Sequence, residues 1–278
     1  MTSIKRAAGI KLLGVFAHPD DEQLVAGPFT RAVQQGAAAY ILCATRGEAG
    51  QISDPALATP ETLGEVREQE LRAAVAVHGW EPPLLLGYRD GTLPDVDQQE
   101  LTDAIIQVIR EIRPQVLVTF DPTGIYGHLD HISISQTTTA AFRQAADPAH
   151  RPDLGRAHQV KKFYYATQPR SLMQAFIRAM GDEADVGGDR RTIELDTMGV
   201  PDEEITTVVE TPDLHEQRRA GMLAHRTQFG PEMIERFDRV AAVAKTWLGA
   251  AHLIRVYPAP APGAELPDEH DLLAGLTG

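Results

Sequence analysis

Two hydrophobic periodicities alternate along residues 10–145. Ile10 to Ala17, Ala37 to Ala44, Leu84 to Leu86 and Val116 to Phe120 are short, nearly unbroken apolar runs, the pattern of strands covered on both faces. Gln23 to Gln35, Pro60 to about His78, Gln98 to Ile112 and Leu129 to Ala145 read as helices. Within Gln98 to Ile112, Leu101, Ile105, Val108 and Ile112 share one face. Gly36 can stop the first helix, and the Gly, Ser, Asp and Pro residues of Arg46 to Thr59 mark a long loop. The alternation predicts an α/β fold: a Rossmann-like, mostly parallel sheet with helices on both faces. In the common strand order 3-2-1-4, strands one and four are neighbours and the chain reverses its direction of travel between them. Ligands bind beyond the carboxyl ends of the strands at such a switch point.

The second half has a weaker pattern and predicts a smaller, mixed part that completes the site. Val160 to Thr167 and Ala251 to Val256 read as strands, and Arg190 to Asp196 with Ile205 to Val209 as an antiparallel pair. Ser171 to Met180, Asp213 to Ala224 and Pro231 to Leu248 read as helices, and Gly181 to Arg190 as an exposed loop. The whole chain, 1–278, is expected to be one domain, with a core at 10–145, a completing segment at 146–257 and a loose tail at 258–278.

Composition narrows the function classes. With 278 residues and 43% of them hydrophobic, the chain can build one large core. A formal charge of −13 repels phosphate backbones and argues against nucleic-acid binding. Cys43 is the only cysteine, which excludes an intramolecular disulfide and a thiolate-built metal site. No stretch approaches the roughly 18 apolar residues of a membrane span, so no membrane partner and a cytoplasmic location are expected.

The chemistry lies at two strand ends. Ala17-His18-Pro19-Asp20-Asp21-Glu22 follows strand one, and His128-Leu129-Asp130-His131 follows strand four. Desolvated carboxylates need a partner or a cation. His18 and Asp21 are close enough on a tight turn to hold one ion, and His131 can supply a third ligand, leaving one position for water as catalytic zinc requires. Magnesium would suit the carboxylates, but the imidazoles favour a transition metal, zinc or iron(II). Asp20 adjoins a ligand without being required as one and is the candidate base. His128, one helical turn from His131, can donate to a developing oxyanion, and Asp130 can hold an imidazole in its tautomer. Taken singly, each cluster also reads as a loop or helix cap, with Asp130 the N-cap; Glu22 reads as a helix-start charge.

These two motifs together resemble the LmbE-like, or PIG-L-type, metal-dependent N-deacetylases, closely over residues 10–145. Ala224-His225-Arg226-Thr227-Gln228 looks like the family's late His-x-Thr/Ser-Gln element. The resemblance implies one zinc per chain on His18, Asp21 and His131, with Asp20 as base and His128 and Tyr126 near the oxyanion. It also implies that Asp130 orients a histidine, and that Arg67, Asp90 and Glu48 lie toward the sugar. It further implies an amino-sugar substrate bearing an N-acetyl group and a homo-oligomer, trimer or hexamer. The same family contains an amidase of thiol-sugar S-conjugates, which is the alternative reaction. A sugar-binding module without catalysis is the remote one. A dinucleotide-binding fold is disfavoured, because the loop after strand one has no glycine-rich turn to admit a pyrophosphate.

Overall fold

The computed structural model describes residues 9–180, 198–233, 235 and 249–277. Seven strands form one sheet in the order β3-β2-β1-β4-β5-β7-β6. β1 (Lys11–Phe16), β2 (Ala38–Thr45), β3 (Leu84–Tyr88), β4 (Val116–Phe120) and β5 (Lys162–Thr167) are parallel to their neighbours in this group. β7 (Ala250–Tyr257) runs antiparallel to both β5 and the edge strand β6 (Thr207–Glu210). Leu12 pairs with Val116 and Gly14 with Val118, so β1 and β4 are neighbours and end side by side.

The expected helices form with shifted starts. α1 spans Ala26–Gln34 and is preceded by a 3-10 turn at Asp21–Val25. Pro28 has no N–H, so the α-helical pattern cannot run back through it to Gln23. α2 is Leu63–His78, closed by Gly79 at φ 72. α3 is Gln98–Ile112, its Asp97 side chain accepting from the amides of Gln99 and Glu100. α4 (Gly124–Gly127) is a single irregular turn, and α5 is Leu129–Gln144. α6 is Arg170–Met180 and α7 is His215–Ala224. Right-handed crossovers put α1 and α2 on one face and α3 on the other, where it packs on α5. Buried between the layers are Leu13, Val15, Phe16, Leu42, Leu117, Val118 and Phe120.

Arg110, on α3, is buried and donates to the carbonyls of Gln144, Ala145, Asp147, His150, Arg151 and Gly155, tying the end of α5 and its following loop to α3.

Some expectations for the second half fall wholly or partly outside the described residues. The expected partner of the 205–209 strand, residues 190–196, lies outside them; within them β6 pairs with β7, Thr207 opposite Leu253. The 181–190 loop also lies outside them. Of the expected 231–248 helix, 231–233 and 235 are described and helical. One expectation changes: the tail is docked. Glu269 is buried and accepts from Lys162 Nζ (2.5 Å), Tyr164 Oη (2.6 Å) and Thr207 Oγ1 (3.2 Å), while Leu272 and Leu273 join the core. A carboxylate that satisfies a buried lysine cannot be left loose in solvent. No described helix is long and apolar enough to cross a membrane.

Candidate active site and metal centre

The end of β1 turns sharply. Asp20 adopts φ 103 and ψ −23, a left-handed conformation that is uncommon for a residue with a side chain. The turn folds back so that the His18 amide donates to Asp21 Oδ2 at 2.7 Å. His18 and the Asp21 carboxylate therefore face the same side. At the end of β4, Gly124 (φ 66) and Ile125 (φ 67) bend the chain before α5 begins, and α5 carries His131 to the His18 ring. Gly199 donates to the Ile125 carbonyl at 2.8 Å, so the second half helps to hold this bend.

Three side chains converge. His18 Nδ1 lies 3.2 Å from His131 Nε2 and 3.6 Å from Asp21 Oδ2, and His131 Nε2 lies 3.5 Å from Asp21 Oδ1. Tetrahedral zinc with bonds of about 2.0–2.1 Å needs donors about 3.3–3.4 Å apart. The two imidazole nitrogens are spaced for that ion, and Asp21 turns one oxygen toward each of them. One nitrogen each of His18, His128 and His131 also falls within 4.8 Å of the others, so His128 borders the same point.

The outer faces of the rings fix their tautomers. His131 Nδ1 donates to the Gly124 carbonyl (3.3 Å), which leaves the Nε2 lone pair facing inward. His18 Nε2 donates to Asp90 Oδ1 (2.9 Å) and Asp130 Oδ2 (3.2 Å), which turns its Nδ1 inward; burial opposes its charge, but Asp130, Asp21 and Asp90 outweigh it and raise the pKa of the metal-free imidazole well above the ordinary histidine value. Asp130 is itself held by the amides of Gly91 (2.8 Å) and Leu93 (3.1 Å). Such carboxylate–imidazole pairs orient metal ligands. A second buried group, His18 with Asp90 and Asp130, also clusters within 4.8 Å, and these hydrogen bonds account for it. The N-cap of α5 is His128, whose Nδ1 accepts from the Asp130 amide at 3.2 Å. Asp130 is not the cap. Neutral His128 consequently carries its proton on Nε2.

Electrostatics separates the acids. Burial pushes the Asp21 pKa up, but His131 and His18 outweigh it and bring it down to about 2. Desolvation raises Asp20 to about 6, with Arg67 opposing and Asp21 reinforcing. Burial, joined by the charge of His18, holds His128 below the ordinary histidine value. Burial raises the Tyr126 phenol, which stays protonated.

The sequence pattern of the family described as "PIG-L: GlcNAc-PI de-N-acetylase" matches residues 13–142. The 1D-myo-inositol 2-acetamido-2-deoxy-alpha-D-glucopyranoside deacetylase of Rhodococcus jostii (strain RHA1) is 36% identical over 240 residues, covering 78% of this chain and 81% of that one. The chain belongs to the PIG-L family. The correspondingly described deacetylase 1 of Catenulispora acidiphila is 32% identical and spans 97% of the chain and 90% of its own length. The PIG-L fold is also evident against N,N'-diacetylchitobiose deacetylase from Pyrococcus horikoshii. That structure has a TM-score of 0.67 at 16% identity and covers 88% of this chain and 83% of its own. PIG-L proteins are metal-dependent N-deacetylases, and the His/His/Asp donor set here suits a divalent metal.

The other positions named from the resemblance have partners within the protein. Arg67 is buried and donates to the Gly47 carbonyl (2.8 Å), the Pro19 carbonyl (2.6 Å) and Asp20 Oδ2 (3.2 Å). A β-carbon at Gly47 or Gly50 would collide with its guanidinium, so glycine is required there. Asp90 spends one oxygen on His18 and the other on the Ala49 amide (3.0 Å), rather than lying free toward a sugar. Glu48 Oε1 accepts from the Asp90 amide (3.1 Å), and its Oε2 is buried with no partner among the described residues. Tyr126 lies with its ring 5.4 Å from His131 and 6.0 Å from His128.

Glu22 is neither a ligand nor a simple helix-start charge. It is fully buried and paired with His225 Nε2 at 2.6 Å. Thr227 donates its amide (2.8 Å) and hydroxyl (2.6 Å) to Glu70, and Gln228 donates to the Gln51 carbonyl (2.9 Å). The late His-x-Thr-Gln segment thus fastens the wall of the site, a role visible only once distant residues are in contact.

Proposed function

We propose that this protein hydrolyses the acetamide of an N-acetylglucosamine unit carried on inositol or a similar small polyol, with zinc bound by His18, Asp21 and His131. The observation that carries the reading is the three-donor convergence beside a basic carboxylate, in a chain 36% identical to a deacetylase acting on such a glycoside.

When bound, the ion supplies Lewis acidity to a water molecule and to the acetyl carbonyl. Asp20, at a pKa of about 6, is largely ionised at neutral pH yet more basic than an ordinary carboxylate. It removes a proton as the water attacks the acetyl carbon. His128 donates its Nε2 proton as a hydrogen bond to the developing oxyanion, and the Tyr126 hydroxyl donates from the flank. Protonated Asp20 then gives its proton to the departing nitrogen, and the carbon–nitrogen bond breaks to yield acetate and the free amine. Arg67 steadies Asp20 in both states, through the side chain and through the Pro19 carbonyl.

The test is acetate release from N-acetylglucosaminyl-inositol, N-acetylglucosaminyl-malate and N,N'-diacetylchitobiose, alongside free-amine release from a cysteinyl-sugar amide. Release is expected to be fastest with the inositol glycoside, to stop with chelator and to return on adding zinc. A zinc-loaded enzyme that leaves every acetamide intact would refute the reading.

A further inference from the structure

Behind the cleft, one acid–imidazole pair takes no part in the chemistry described. Glu22 and His225 are fully buried and lie 203 residues apart in sequence. The Glu22 carboxylate is fully occupied: Oε1 accepts from His225 Nε2 (2.6 Å) and Gln23 Nε2 (2.7 Å), and Oε2 accepts from the main-chain amide of Asp20 (2.9 Å). Among the described residues His225 Nδ1 has no hydrogen-bond partner, and its Nε2 is held against Glu22. A buried ion pair is a weak source of stability, since an apolar pair of similar volume commonly serves as well. What this pair does hold is an amide whose residue sits at φ 103, a backbone state that must be enforced by its surroundings.

The same late segment reaches Asp20 by a second route. Thr227 binds both oxygens of Glu70, and Glu70 lies one helical turn from Arg67, whose guanidinium grips Asp20 Oδ2 and the Pro19 carbonyl. His225 thus bears on the main chain of Asp20, and Thr227, through α2, on its side chain.

We propose that Glu22 and His225 are positioning residues: they aim the Asp20 carboxylate by holding its amide from behind the site. This rests on the reading of Asp20 as the base. The pair touches neither the donor cage nor the cleft, so its loss lowers turnover without weakening metal or substrate binding.

The experiment replaces both members, Glu22→Leu with His225→Leu, which removes the acceptor for the Asp20 amide and leaves no buried charge unpaired. Metal content, thermal midpoint, and KM and kcat for acetate release from N-acetylglucosaminyl-inositol are then measured. The expected result is parental metal content and KM, a midpoint lowered by the stranded Asp20 amide, and kcat down about 10²-fold, the scale of a small misplacement of a reacting group. Glu22→Gln, which keeps an acceptor for the amide, recovers most of that loss. Added to Asp20→Ala, the double-leucine change causes no further loss, because both act on one group. Parental kcat in the double-leucine protein, or a loss that multiplies in full onto Asp20→Ala, overturns the proposal. Asp20→Ala turning over at the parental rate overturns the base reading instead. If the double-leucine chain does not fold, Thr227→Val decides. A kcat about tenfold lower at parental KM and metal content supports positioning by this segment, and parental kcat overturns it.

Discussion

Asp90 and Asp130 share the outer nitrogen of His18, and replacing each by alanine separates two consequences. Asp90→Ala removes the shorter contact to His18 (2.9 Å) and strands one amide, that of Ala49. Asp130→Ala removes the longer contact (3.2 Å) and strands two amides, those of Gly91 and Leu93. A buried donor left without an acceptor costs about 1–3 kcal/mol. Leu93 is buried while Ala49 and Gly91 are exposed, so Asp130→Ala should lose about 1–3 kcal/mol of stability and Asp90→Ala less. Metal affinity should follow a different order. Losing an orienting partner costs 10–100-fold, but either carboxylate alone can still hold the Nε2 proton outward. Each single variant is expected to weaken zinc binding about tenfold, and the double variant by well over 100-fold, because the ring is then free to present the wrong nitrogen. Zinc affinity measured against a competing chelator, with urea unfolding of the metal-free protein, checks both orders. Single variants with parental affinity, or a double variant no weaker than either single, would refute the argument.

Asp20→Asn should lower kcat by about 10²–10⁴-fold, the range for general base catalysis, while one metal ion per chain is retained; activity and metal analysis check this. His78, stacked on Trp80 and bonded to Thr30, has its pKa lowered by burial to about 4. The unfolded chain binds a proton near pH 6.5 that the folded chain refuses, so stability falls as pH drops between about 6.5 and 4. The contribution is about 2 kcal/mol at pH 5 relative to neutral pH. His78→Gln should flatten that part of the curve in urea titrations at pH 7 and pH 5. Arg110→Met takes away the guanidinium that six carbonyls share, four of which keep a backbone amide donor, and should destabilise by about 3 kcal/mol, read as a shifted denaturation midpoint.

What was legible in the sequence was what is local. Gln98–Ile112 and Val116–Phe120 appear at the expected boundaries because one helical face and one apolar run declare themselves within a few turns. His18, Asp21 and His131 were legible because parallel topology brings the ends of β1 and β4 together, and strand order is a coarse property that patterning can reach. The start of α1 was misplaced through the weight of a single Pro28. The pairing of β6 and the occupation of Asp90 and Arg67 depend on segments meeting across the fold, and so does the burial of Glu22 against His225. No spacing in the chain encodes these; a carboxylate that binds sugar and one that binds a histidine look alike until its neighbour is known.

Glu269 has a consequence for where this chain can be cut. Lys162 and Tyr164 stand in the first half of β5 with their polar ends answered by that one carboxylate, delivered from beyond the last strand. A chain shortened to end at Tyr257 would keep an ammonium inside the sheet with nothing opposite it, and would uncover the seats of Leu272 and Leu273. The stretch that looks most expendable on paper is the fastener of the antiparallel edge, and trimming it would more readily yield aggregates than a smaller enzyme.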